Sequence, residues 1–386
     1  MRQLEGSTGR HRGGMIAVAL GTGTLLFAFG WASGQEPEQS DYDQARAETG
    51  VEGSYGYVRV VDGSGTLVQA GTLDRVQIQP NEPILVGDEL FLGGSSRAEL
   101  LLADRSLVRI GDRAELGFRA LAYSPDRDDP ATILDLHRGT LQLVVPDDLA
   151  AQDYPSVFTP EAEIRVLDSG SYLVTVEDGR RTEVVVRDGR AEVRTDQDAA
   201  DVRAGEAVVA DSRTARLRFA AAPGLDGLER WGRDLAYGDG GEYQRYVDDD
   251  LHYAASSLYG HGSWVHVGAS WAWRPYVSHG WLPYHHGRWR YSPTGLIWVS
   301  YEPWGWVPYH YGYWDFTPGY GWVWFPGRRF APAHVYWYWG PHYAGWVPVG
   351  YYWRHYGHHY GRRFGFHVGV YGTIGGGFGP FRHWVF

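Results

Sequence analysis

The chain has 386 residues, with 35 Arg and no Lys against 46 acidic residues, 16 His and no Cys. The missing Cys excludes a disulfide framework, a Cys-ligated zinc or iron–sulfur site, a thiol nucleophile and a lipoprotein anchor cysteine. The net charge of −11 argues against a chain built mainly to bind nucleic acid.

That charge is unevenly divided. Residues 1–250 carry 26 Arg against 44 acidic residues, whereas 251–386 carry 9 Arg against 2, together with 14 of the 16 His and, past residue 260, 16 of the 18 Trp. Two different materials share one chain, whose size allows two or three domains.

Arg2, Arg10, His11 and Arg12 precede a nearly uncharged stretch, Met15 to Ala32. Small residues, Ala32-Ser33-Gly34, and an acidic run follow. This is the order of a secretory signal, with cleavage expected near Gly34. The alternative is a retained membrane anchor, since 18 residues just span a bilayer. Either way the bulk is expected in the periplasm or at the cell surface, with membrane contact only through an uncleaved N-terminal segment. Residues 1–34 are read as signal or anchor and 35–52 as a disordered linker.

Residues 53–220 alternate apolar and polar positions over four to seven residues, broken by Gly and Asp. Strands are predicted at 57–61, 98–102, 107–110, 115–119, 132–136, 139–145, 163–167, 171–177, 182–187, 190–194, 206–210 and 215–219. Asp178-Gly179 and Asp188-Gly189 read as hairpin turns. No helical periodicity is sustained, so the unit is all-β, a sandwich or a solenoid-like stack of short strands.

The runs Val86-Gly87-Asp88-Glu89-Leu90, Gly93-Gly94-Ser95-Ser96-Arg97-Ala98-Glu99-Leu100 and Ala103-Asp104-Arg105-Ser106-Leu107-Val108-Arg109-Ile110-Gly111 resemble the FecR domain. Phe158 to Ala162, Gly170 to Val174, Val184 to Gly189 and Ala204 to Ala207 extend the resemblance over roughly 53–212. Arg105 departs from the Gly usual in that family. The matching residues belong to turns and strands, which mark a fold better than an activity. The resemblance implies periplasmic sensing of an outer-membrane transporter, relayed through a membrane helix to a sigma factor. At most 14 residues precede the apolar stretch, so no relay domain is expected on the cytoplasmic side, and a freestanding exported module is the preferred reading.

Residues 221–260 read as a linker with a short amphipathic helix carrying Leu228, Trp231 and Leu235. Asp248-Asp249-Asp250 lacks the alternating ligands and closing Glu of a calcium loop and reads as a solvated acidic turn.

Beyond residue 260 an aromatic repeat begins. Trp281-Leu-Pro283-Tyr284-His285-His286-Gly287-Arg288-Trp289 returns 25 residues later as Trp306-Val-Pro308-Tyr309-His310-Tyr311-Gly312-Tyr313-Trp314. A degenerate third copy runs from Trp346 to Trp353. The period predicts repeated hairpins over 261–353. The pattern also resembles the Trp-rich exported repeat region, of unknown function, found behind FecR-like domains in proteobacteria.

Between residues 261 and 386 stand 40 aromatic residues and only 16 Ile, Leu and Val, so any core there must be aromatic. Alternation within Trp322 to Phe325 asks for cover on both strand faces. The rings are either packing or a stacking surface for sugars or a protein partner. For the second role the candidates are Trp281, Tyr284, Trp289, Trp306, Tyr309 and Trp314. Nucleic-acid stacking is disfavoured by export.

His355, His358 and His359 read as compositional bias rather than metal ligands, and 354–386 as a Gly/His-rich flexible tail. No catalytic motif occurs, and no metal or cofactor is expected. The whole reads as a mostly β, non-catalytic exported protein that binds an envelope polysaccharide or protein. Two alternatives remain: a signalling accessory of a transporter-sensing system, and a carbohydrate-active enzyme using Glu302 and Asp315.

Overall fold

Short alternating strands separated by Gly- and Asp-rich turns can bury only one face each, so they must pair into layers with an aliphatic interior. The computed structural model shows this directly. It describes residues 55–122, 131–177, 179–235, 245–340, 343–350, 369–371 and 383–384, within one compact unit spanning Gly50–Phe386. The signal or anchor and the 35–52 linker lie outside the described residues, as do His355, His358 and His359.

Seventeen strands between residues 56 and 221 form one hydrogen-bonded system folded into two layers. The first layer runs Pro83–Ile84, Gly56–Asp62, Arg97–Leu101, Leu107–Ile110, the second half of Ile133–Val145, Gly170–Glu177, Arg181–Asp188, Glu206–Asp211 and Thr214–Ala221. The second runs Arg75–Gln77, Gly65–Val68, Glu89–Leu92, Glu115–Ala120, the first half of Ile133–Val145, Ser156–Phe158, Glu163–Val166, Arg190–Arg194 and Ala199–Arg203. All these pairs are antiparallel except that of Ser156–Phe158 with Ile133–Val145.

The predicted strands at 132–136 and 139–145 are thus one strand that crosses between layers. It turns at Gly139, where φ is +89° and a Cβ would fall 2.6 Å from the Ala114 backbone. Asp188-Gly189 also differs from expectation. Arg181–Asp188 and Arg190–Arg194 lie in different layers, so this dipeptide is a corner between sheets and not a hairpin turn. Leu67, Leu100, Leu116, Leu134, Leu143, Val174, Val184 and Val193 belong to the aliphatic core between the layers.

The family-like motif residues fix this fold. Asp104 is buried, accepts from the Ser106 N–H and the Thr132 hydroxyl, and has its carboxyl pushed up by burial. Arg105 stands at φ +68°, the left-handed region that favours Gly. Glu99 is buried on the outer face of the first layer and bound by Arg109 at 2.7 Å and Arg59 at 3.1 Å.

The predicted helix occupies Gly227–Asp234, started by an Asp226/Glu229 capping box. Glu229 grips Arg187 through both carboxylate oxygens, at 2.6 and 2.8 Å. The helix passes close over Arg109, where a Cβ on Gly232 would lie 2.6 Å from the guanidine stem.

A second stretch of the same outer face carries Tyr57, Leu85 and Leu101, and the aromatic part packs directly on these three. The Tyr57 ring stacks on Trp306 at 4.2 Å and 10°. Residues 249–258, read from sequence as linker, form short helices Asp249–Leu251, His252–Ala255 and Ser256–Leu258, with Leu251, Ala254, Ala255 and Leu258 buried in this aromatic core. In the acidic run the Asp249 side chain is 98% exposed at the start of the first of these helices, and that of Asp248, 27% exposed, reaches Arg328 at 3.0 Å.

The aromatic region is built from hairpins. Gly262–Val267 and Ser270–Pro275 join Gly321–Phe330 and Tyr311–Thr317 in a four-stranded sheet, while Gly287–Ser292 pairs with Gly295–Ser300. Val335–Gly340 and Tyr343–Pro348 form a third hairpin, extended by Gly369–Tyr371 and His383–Trp384. Those last two segments lie in the predicted flexible tail and are strands instead, Gly369–Tyr371 pairing with the edge of Tyr343–Pro348 and His383–Trp384 pairing in turn with Gly369–Tyr371.

Both faces of Gly321–Phe330 are covered, one by the ring core around Trp324 and the other by Val265, Ala272 and Tyr313. Cross-strand pairing places Trp264, Trp273, Trp324 and Trp314 in one row. Of these, the Trp324 indole N–H reaches the Tyr311 carbonyl at 2.6 Å, whereas the buried Trp273 and Trp314 indoles have no hydrogen-bond acceptor among the described residues. Trp324→Phe would remove the hydrogen bond that the buried indole gives the Tyr311 carbonyl, and Trp273→Phe would remove no such bond. The first is expected to cost about 1–2 kcal/mol more than the second in urea unfolding, and equal losses would contradict this account.

Candidate functional site

The first repeat starts in the segment joining Ser270–Pro275 to Gly287–Ser292. Its backbone turns at Gly280, φ +86°, and at Tyr284, φ +57°. Tyr284 is locked there: its hydroxyl donates to the Tyr309 carbonyl at 2.8 Å and accepts from the His334 N–H at 3.0 Å. Tyrosines 25 residues apart in the repeat therefore touch, their ring centres 4.7 Å apart.

With its end pinned, the segment arches over Glu302 and Trp304 and leaves an open groove of about 490 Å³. Tyr276 (67% exposed), Val277 and Leu282 give its walls apolar surface. His279, His285 and His286 contribute imidazoles, and Trp281 and Glu302 also line it.

Glu302 is held firmly. It accepts from the Trp281 indole N–H at 2.9 Å, the Tyr309 hydroxyl at 3.3 Å and the Ser300 hydroxyl. Burial, reinforced by the Glu302 carboxylate, pushes the Tyr309 hydroxyl far above the usual phenol range, so it stays a donor. His286 stands 4.0 Å from Glu302 and packs edge-on against Tyr301. Chemically the groove offers an indole edge, a phenol face, imidazoles that both donate and accept, and one anchored carboxylate. Among the described residues, no group of three or more His, Asp or Glu is placed to hold a metal ion.

The six residues expected to stack on a ligand divide sharply. Tyr284, Trp306, Tyr309 and Trp314 are buried, so they form the core and offer no stacking face. Apolar rings gain most by covering one another and the Tyr57 platform. Trp289 is partly buried between Trp298, Trp337 and Trp346. Only Trp281 lines the groove, its ring against Trp304 and Trp314.

Of the carboxylate pair weighed for catalysis, one member lines the groove. Glu302 lines the groove, whereas Asp315 is 1% exposed and pairs across the sheet with Val323, outside that lining. Sequence reasoning overlooked Tyr276, His279, His285 and His286 as a group. Their signal was a polar, His-bearing turn between two strand patterns, which composition alone does not separate from the rest of the region.

Fold and groove define a class: an aliphatic β-sandwich carrying an aromatic hairpin module with a surface cleft. Residues 88–192 match the family "FecR protein", and residues 255–355 match a "Family of unknown function (DUF6600)". The chain thus bears a FecR domain with a DUF6600 region behind it. Two crystal structures of a "putative anti-sigma factor" from Parabacteroides distasonis ATCC 8503 are similar over 35% of this chain, at 16% identity and a TM-score of 0.30. The chain spans 59% of the length of those structures. Among curated proteins none matches.

Proposed function

We propose that this is a non-catalytic exported envelope protein, in which the FecR domain is a scaffold and the 276–286 groove binds an envelope polysaccharide. The observation that carries the reading is that exposed aromatic surface meets an anchored carboxylate in one open cleft of ligand size. Flat rings meet the C–H faces of sugars, and the carboxylate and imidazoles meet their hydroxyls. Asp315 is buried outside the groove's lining, which supports binding there without hydrolysis. Among the described residues no helix is long and apolar enough to cross a membrane.

Titration with soluble peptidoglycan fragments should change tryptophan fluorescence. Trp281→Ala should weaken binding at least about tenfold, roughly 1.4 kcal/mol, with an unchanged far-UV spectrum. If no glycan shifts the emission, the polysaccharide reading is wrong and a protein ligand for the same cleft takes its place.

The FecR match favours a second reading, an accessory in transporter-linked signalling. Deletion would then alter transcription of a transporter regulon, and an unchanged transcript profile would dismiss it.

A further inference from the structure

We infer that Asn81, a residue of the sandwich outside both matched segments, is a positioning residue for the groove. The inference rests on the reading of that groove as the binding site. Asn81 is 2% exposed and sits at φ +67°, a conformation that Asn tolerates better than most residues. Its own backbone is fixed by the first layer: the Asn81 N–H donates to the Val58 carbonyl at 2.8 Å, and the next carbonyl, of Glu82, accepts from the Val58 N–H at 2.8 Å.

From this rigid mount the side chain crosses into the aromatic module. Its amide nitrogen donates to the carbonyls of Glu302 at 2.6 Å and Ser300 at 3.2 Å, and its oxygen accepts from the Trp306 N–H at 2.9 Å. One side chain therefore clamps the 300–306 turn at three points. That turn carries the Glu302 carboxylate, which in turn holds the Trp281 indole. The order of contacts is sheet, Asn81, Glu302 backbone, Glu302 carboxylate, Trp281. The geometry of the cleft is set from the sandwich as well as from the aromatic module.

The test uses the full chain with ¹⁵N-labelled Trp, the Trp281 indole signal being assigned through Trp281→Phe. In the unaltered protein the Trp281 indole proton should exchange slowly with solvent; fast exchange would overturn the inference at once. Asn81→Gly keeps the positive φ and removes all three bonds. It should shift the Trp281 signal and speed its exchange at least several-fold, while the signal of Trp271, exposed at the tip of the first hairpin, stays in place. Should Asn81→Gly not fold, Asn81→Asp tolerates the same φ, keeps the acceptor for Trp306 and removes the donor to Glu302, and gives the same readout. A Trp281 signal unmoved by the variant, whatever happens to the melting temperature, would reduce Asn81 to an ordinary structural contact. A signal that moves in a protein that binds no glycan would leave the positioning role standing and remove the polysaccharide reading instead.

Discussion

Arg290→Met is expected to destabilise the whole chain by about 3–5 kcal/mol, a large part of the roughly 5–15 kcal/mol that holds a typical domain together. Arg290 comes from the hairpin Gly287–Ser292 and inserts into the sandwich, where it meets Asp88 at 2.6 and 2.8 Å, Glu82 at 3.5 Å and the Pro83 carbonyl. Both carboxylates are fully buried. Asp88 also accepts from the backbone N–H groups of Ala70 and Leu85, and Glu82 also binds Arg288. Removing one guanidinium leaves two buried anions with Arg288 as the single remaining cation among the described residues there, which costs far more than the intact cluster contributes. The shift of the urea midpoint measures it. A loss below about 1 kcal/mol, the value of an exposed pair, would mean that water reaches Asp88. Asp88→Asn combined with Arg290→Met should recover part of the loss, because one stranded charge is then gone.

Acid should weaken the fold through His310. This residue is buried between Trp306 and Phe330, with Nδ1 3.1 Å from the Ala331 carbonyl, and burial pushes its pKa down to about 3. Unfolded, it takes a proton near pH 6.5. Between those values the unfolded chain binds more protons than the folded one, so stability is full above about pH 6.5 and falls as pH drops. The slope approaches about 1.4 kcal/mol per pH unit, and the loss reaches on the order of 4 kcal/mol near pH 3. Asp104 acts in the opposite sense, because its raised carboxyl holds a proton longer folded than unfolded, and it offsets part of the loss at the acid end. Urea midpoints at pH 7, 5.5 and 4.5 should fall progressively, and His310→Gln should flatten that dependence. Parallel profiles for the two proteins would remove His310 as the cause.

Much of the sandwich was legible beforehand, since alternation with period two shows which residues share a face, and Gly or Asp marks where a strand stops. Strands 107–110, 163–166 and 190–194 fall where the pattern places them. The short strands Gly65–Val68, Arg75–Gln77 and Ala199–Arg203 escaped, the last two carrying a single Val each to mark a buried face. The helix at 227–234 was visible through Leu228 and Trp231. By contrast, the 249–258 helices read as linker in the sequence, since single turns leave almost no periodic signal.

By itself the sequence determined the two-part character of the chain, the aliphatic strands, the 25-residue repeat and the need for an aromatic core. It did not determine which rings that core would consume. Tyr284, Trp306, Tyr309 and Trp314 look no more buried in the sequence than Trp281, because pairing pattern states which side a residue faces and is silent about what covers that side. Cover came from Tyr57, Leu85 and Leu101, some two hundred positions away. The same distance separates Asn81 from Glu302 and Asp88 from Arg290. Only the folded chain brings these groups together, and with them the shape of the groove.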